Sequence, residues 1–232
     1  MGFIDAIDKI DKVITIAKPI IESVSSKIQP EMKQFAERLF ELSEKYPSIK
    51  DFAMVVDKSA DILGDILFVL GVKSEQADII GLKIAQADKG LLDFESVEDY
   101  LNYLKNDVHL DENEYNAMSE VEKMAYTVVG MAVEVGAIGE KLGIKLDADF
   151  VLLISKVVNA GIAAIDATGI VDILKMVKEN GTISVSDIYE YFMGEGESDR
   201  INTGKILKDI LATLYPGKAD DIIMEIKDEA RN

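Results

Sequence analysis

The chain has 232 residues and a formal charge of −18 at neutral pH, with 25 Lys and Arg against 43 Asp and Glu. Such a surface repels phosphates, which argues against nucleic acid and anionic lipid as partners and leaves solubility, a basic partner or a cation as the meaning of the acidity. Cysteine is absent, which removes disulfides, thiolate chemistry and cysteine metal sites and fits a reducing cytoplasm.

The sequence opens Met1-Gly2-Phe3-Ile4-Asp5, without the basic region that begins a secretory leader, and Ala6 stands where myristoylation wants Ser or Thr. Apolar residues at Ile7, Ile10, Ile14, Ala17, Ile21, Val24 and Ile28 alternate in steps of three and four, the period of one helical stripe. Pro19 removes an amide donor within it, so the stripe reads as a kinked helix packed on its own domain rather than a dimer stalk. Pro30 and Pro47 punctuate the next segments and predict helices near 31–45 and 49–70. Ser96-Val97-Glu98-Asp99, Asp111-Glu112-Asn113-Glu114 and Ser119-Glu120-Val121-Glu122 each set an oxygen three residues before a carboxylate, the capping-box spacing, and predict helix starts near 97, 112 and 120. Only Val108-His109-Leu110 and Thr182-Ile183-Ser184-Val185 look extended, too short to build a sheet. Phe150 to Val177 is the most apolar stretch, but Lys156, Asp166, Asp172 and Lys175 interrupt it, so it predicts a buried helical region and no spanning helix. Its run Ala160-Gly161-Ile162-Ala163-Ala164 suits close helix approach, with a membrane-inserting hairpin as the alternative.

The chain echoes itself. Leu70-Gly71-Val72-Lys73 followed by Ala77-Asp78-Ile79-Ile80 recurs as Leu142-Gly143-Ile144-Lys145 followed by Ala148-Asp149-Phe150-Val151, and again as Tyr215-Pro216-Gly217-Lys218 followed by Asp220-Asp221-Ile222-Ile223. From Asp78 to Asp149 is 71 residues and from Asp149 to Asp221 is 72. Val97 to Asn106 aligns with Ile170 to Glu179, and Ile62 to Leu67 with Ile206 to Leu211 at twice the period. The expectation is an all-α fold with a tandem duplication of a four-helix unit of about 72 residues, stacked as a short superhelix or closed into one globule. Residues 1–72 form an N-terminal cap or diverged copy, 73–144 and 145–217 the two units, and 218–232 the start of a third.

Chemistry is sparse. The single His109 lies among Asp107, Asp111, Glu112 and Glu114, where His109, Asp107, Asp111 and Glu114 make a weak metal site on sequence grounds. Neither turn supplies the four or more oxygen ligands of an EF-hand, whether Gly181 or its counterpart in the first copy is placed at the central position. Ala87-Asp88-Lys89-Gly90-Leu91-Leu92-Asp93 resembles the acidic helix-to-helix turn of the TerB-like helical domains of tellurite resistance over a short stretch, but Lys89 splits the Asp-Gly pair and the second copy reads Val158-Asn159-Ala160-Gly161-Ile162. No functional residue is carried over from it. No nucleophile is paired with a base and no glycine loop cradles phosphate, since Gly194-Glu195-Gly196-Glu197-Ser198 is acidic.

These features describe a non-enzymatic helical module, without cofactor, that binds a protein partner such as a basic or amphipathic helix. Tyr100, Tyr103, Tyr115, Tyr189, Tyr191 and Phe192 are the candidate contacts, as the aromatic residues of helices flanking acidic turns. A membrane-active or toxin/immunity-related protein, and a small-ligand or cation-binding protein, are the competing readings. Oligomeric state is left open.

Overall fold

The computed structural model describes residues 3–159, 161–162, 165–194 and 200–231. Among these residues all regular structure is helical: twelve α-helices, two short 3-10 turns and no strand. None of the described helices is long and apolar enough to cross a membrane. The chain divides into two compact units, residues 1–141 and 142–232. The stretches 1–72 and 73–141 therefore share one unit.

The first unit holds α1 (Phe3–Val24), α2 (Pro30–Glu41), α3 (Ile49–Val69), α4 (Ala77–Gln86), α5 (Val97–Asp107), α6 (Glu112–Ala117) and α7 (Glu120–Leu142). The stripe on α1 packs inward: Ala17, Ile21, Val24 and, beyond the helix end, Ile28 are all buried, while the side chains of Ile7 and Ile10 lie outside those described. Pro19 sits inside α1. Pro30 opens α2, where its missing amide would have had no intrahelical acceptor.

Helix starts follow the caps. Ser48 accepts the Asp51 amide at 3.2 Å and Ser96 the Asp99 amide at 3.0 Å. Asp111 accepts the amides of Asn113 and Glu114 at 2.9 and 3.2 Å. Before α7 the exchange is reciprocal, with Ser119 Oγ accepting the Glu122 amide at 3.3 Å and Glu122 accepting the Ser119 amide at 2.8 Å. α5, α6 and α7 thus begin at 97, 112 and 120, as the capping pattern predicts.

Within this unit α4 crosses α7 at close range. Ala77, Ile80, Gly81, Leu82, Lys83 and Ile84 are all buried on α4, and from Thr127 to Val135 every residue of α7 is buried, the signature of a helix with neighbours on all sides. A Cβ added at Gly81 would run into the backbone carbonyl of Tyr126, and one added at Gly130 into that of Ala77. Backbone meets backbone at both points. As α4 advances from 77 to 81 its partner retreats from 130 to 126, so the helices are antiparallel, and one turn further along the same line Ser74 bonds Glu134. Around this pair, Lys27 donates to the carbonyls of Ala85 (3.0 Å) and Ala87, and its own carbonyl accepts the Leu91 amide at 2.8 Å. Glu140 accepts the Val97 amide at 2.9 Å, and Lys141 pairs with Glu98 at 2.7 Å.

The second unit contains α8 (Ala148–Asn159), α9 (Ala167–Asn180), α10 (Val185–Met193), α11 (Arg200–Leu214) and α12 (Ala219–Arg231). Asp166 caps α9 through the Gly169 amide at 2.9 Å, and Gly181 ends it at φ 65°, a left-handed conformation that glycine adopts without strain. Thr182 and Ile183 link the helices without forming a strand, and Val185, expected to be extended, is the first residue of α10. The reciprocal capping box between Ser184 and Asp187 overrides the local β preference there. Ile188, Phe192, Leu207, Ile210, Leu211, Ile222 and Ile226 form the common core of α10, α11 and α12. In the small-residue run, Ala160, Ala163 and Ala164 lie outside the described residues, as does 195–198 of the acidic glycine loop.

Gly81→Ala and Gly130→Ala are each expected to destabilise the protein by about 2–4 kcal/mol, because rigid backbone must move. Gly64→Ala, on α3 with no atom near its added Cβ, is expected to stabilise by roughly 0.5–1 kcal/mol. Urea unfolding of the three variants checks both signs.

Candidate functional site

On α3 the residues Phe52, Val55, Val56, Ser59, Leu63, Ile66 and Leu67 face the core. The opposite side exposes Met54, Asp57, Asp61, Asp65 and Phe68, spaced three, four, four and three apart and therefore lying along one helical face. Phe68 is 84% exposed and Met54 49%, so the stripe has apolar ends and an acidic middle. Like charges at i, i+4 oppose each other and weaken the helix slightly. Further carboxylates close in from other elements. The Asp57 carboxyl is raised above the usual range by partial burial, and then by the charges of Asp61, Asp78 on α4 and Glu120 on α7.

Tyr115 of α6 stands at the edge of this surface. Its hydroxyl donates to Asp78 Oδ2 at 2.5 Å, and that bond, with burial and the Asp78 and Glu120 charges, pushes it up to about 12. The Lys123 ammonium lies 4.4 Å from the centre of its ring, a cation–π contact at the edge of the acidic surface, and Lys58 of α3 is exposed beside Asp57.

The other aromatic candidates fall into two groups. Tyr100 is fully buried and Tyr189 and Phe192 nearly so; they are core residues. Tyr103 is half-buried, its ring tilted against Phe94 at 5.0 Å with Lys89 5.6 Å from its ring centre. Tyr191, also half-buried, meets Phe192 edge-on at 5.3 Å and accepts a hydrogen bond from Lys227 at 2.8 Å, and Gly204 leaves room for its ring. The sequence-based selection missed the most exposed apolar side chains, Phe68, Leu92 at 80% and Ile201 at 88%. Phe68 lies in the run Ile66-Leu67-Phe68-Val69-Leu70, where continuous apolarity hides which residue faces out.

Asp107 and His109 are exposed, Asp111 is engaged in capping α6, and Glu114 accepts a hydrogen bond from Gln86 at 2.8 Å. Among the described residues no three acidic or imidazole side chains come together to hold a metal ion. Gly181, which would be the central residue of a calcium loop, is the C-terminal cap of α9.

Among the described residues of the first unit, Lys83 and Glu134 are a base and an acid held in the interior. Lys83 on α4 is buried and satisfied, donating to Glu75 at 2.7 Å and to the Lys105 carbonyl at 3.3 Å. Glu134 on α7 is 1% exposed; one oxygen accepts from Ser74 at 3.0 Å and the other, Oε2, is without a protein partner. Burial pushes this carboxyl up to about 8, against the smaller opposing effect of the Ser74 bond. Compared with known protein families, curated proteins and solved structures, the chain has no significant match.

The buried acid has a definite pH signature. Below about pH 4.5 folded and unfolded chains both hold this proton; above it the unfolded chain releases the proton while the folded chain keeps it, so this group lowers stability progressively up to about pH 8. Glu134→Gln is therefore expected to gain in urea midpoint relative to the parent protein as pH rises through that window. Parallel pH profiles for the two proteins would contradict the assignment.

Proposed function

We propose that the protein is a non-enzymatic helical interaction module whose first unit receives a basic amphipathic helix along the outward face of α3. The observation that carries this reading is the stripe Met54, Asp57, Asp61, Asp65, Phe68. An exposed phenyl ring and a thioether gain by burial, while three carboxylates between them select positive charge. The stripe spans about 21 Å, the length of some fourteen helical residues. A partner helix with apolar side chains near its ends and Lys or Arg between them on one face matches it in spacing and in charge. Tyr115, Asp78 and Glu120 extend the same acidic surface. Tyr103, half-buried on the same unit, is a secondary contact candidate in this reading.

The modular architecture we propose is a tandem duplication of the four-helix unit. Its support lies in the turns: the matched glycines Gly71, Gly143 and Gly217 all adopt positive φ, at 76°, 63° and 79°. The helices α4, α5, α6 and α7 begin at 77, 97, 112 and 120, and α8, α9, α10 and α11 at 148, 167, 185 and 200. We place this module in the cytoplasm, in keeping with its lack of cysteine.

The test is fluorescence anisotropy with a labelled helical peptide of about 20 residues carrying Leu at both ends and Lys along one face between them. Saturable binding is expected, weakened about tenfold between low salt and 0.3 M salt. The double variant Asp57→Lys, Asp61→Lys is expected to abolish it, and Phe68→Ala to weaken it about tenfold, the effect of losing an aromatic anchor. Asp209→Lys, on α11 of the second unit, serves as the control for charge reversal elsewhere in the chain. Equal effects at Asp57/Asp61 and Asp209, or no saturable binding, would contradict the reading.

A further inference from the structure

The five helices of the second unit enclose a cavity of about 60 Å³. Its wall is drawn from all five, including Phe150 and Ile154 on α8, Leu174 on α9, Ile188 on α10, Leu211 on α11 and Ile226 on α12, and it presents no polar atom. Water inside would find no hydrogen-bond partner, and an unfilled space of this kind leaves its lining without contact atoms on one side.

We propose that this cavity is a binding site for the end of a small, uncharged hydrocarbon chain. Since a single water needs roughly 10–15 Å³ measured in this way, the space holds about four to six bodies of that size. A short run of methylenes fits, and a drug-sized ligand, which needs a pocket of about 300 Å³ or more, does not. The wall is not uniformly sealed. Leu153 and Val157 on α8, Ile165 before α9 and Ile173 on α9 are only partly buried, whereas Phe150, Leu174 and Leu211 are buried. Access therefore lies between α8 and α9, past these four aliphatic side chains.

The charges beside that entrance set the chemistry of whatever stays outside. Asp166 adjoins Ile165 in the chain, Asp172, paired with Lys175 at 3.4 Å, adjoins Ile173, and Lys156, which adjoins Val157, donates to the Glu229 carbonyl at 3.1 Å. Both aspartates act on Tyr215, whose hydroxyl is held above its usual range by partial burial and then by these two charges. The cavity wall offers no cation to a carboxylate, and a carboxylate head beside Asp166 would face the same repulsion, so the ligand carries a neutral head such as an alcohol, or none.

The experiment uses the full chain with methyl-labelled Ile, Leu and Val, titrated with 1-hexanol and separately with sodium hexanoate. Saturable shifts are expected with 1-hexanol at the methyls of Leu153, Val157, Leu174 and Leu211, while methyls around α4 and α7 stay in place. Hexanoate is expected to bind at least tenfold more weakly. Neutral phosphatidylcholine vesicles, added in a second arm, separate the two sources of such a chain: co-sedimentation that depends on the cavity assigns it to a lipid, and its absence alongside hexanol binding assigns it to a free molecule. Leu153→Phe and Ile173→Phe fill the entrance from opposite sides at partly exposed positions, and each is expected to weaken hexanol binding at least tenfold. Unshifted cavity methyls, hexanoate binding equal to hexanol, or unchanged binding in both filled variants would overturn the proposal.

Discussion

The first unit depends on two helices meeting backbone to backbone. Gly81 of α4 lies on the carbonyl of Tyr126, and Gly130 of α7 on that of Ala77, four residues apart on each helix and so on a single face of each. No side chain separates the helices at these points. The approach maximises dispersion contact between backbones and permits Cα–H···O contacts, but it requires hydrogen in place of a methyl group at both positions. What lies along the same line is placed by that crossing. Ser74 is brought to Glu134 at one end, and Asp78, next to Ala77, is set on the unit's surface beside the Tyr115 hydroxyl.

Electrostatics then sort the carboxylates by environment. Glu134 is buried with a single hydroxyl donor, and burial raises it to about 8. Asp57, Asp61, Asp78 and Glu120 are drawn from three helices onto one surface, and Asp57 is raised by partial burial and by their mutual repulsion. Repulsion at the surface and burial of an acid both oppose folding, and the hydrophobic burial along α4 and α7 offsets them. In the functional reading proposed above, a cationic partner would relieve the surface repulsion on binding, which is how a like-charged surface acquires selectivity for its complement.

What was legible in the sequence was local. Capping oxygens at Ser96, Asp111 and Ser119 fix helix starts through bonds spanning two or three residues, and such bonds are written in the chain order itself. The α1 stripe from Ala17 to Ile28 was legible because its period matches the helix. The decisive glycines were not, since a glycine within an apolar helix reads only as a propensity cost until the facing backbone is known. Tyr100 and Tyr103 lie three residues apart on α5, yet one is fully buried and the other half-exposed. Aromatic identity alone does not separate core from surface. The acidic surface escaped for a further reason: Asp57, Asp78 and Glu120 are distant in sequence and become neighbours only through the packing of α3, α4 and α7.

Held by contact between backbones, the α4–α7 crossing is the last part of the first unit to open. Native-state hydrogen exchange measures it most directly, by following amides of residues 80–84 and 128–135 across low concentrations of denaturant. The account predicts that both sets exchange only through complete unfolding of that unit, with one shared opening free energy and one denaturant slope. Exchange of the α4 amides through a smaller opening, at lower free energy than α7, would contradict it.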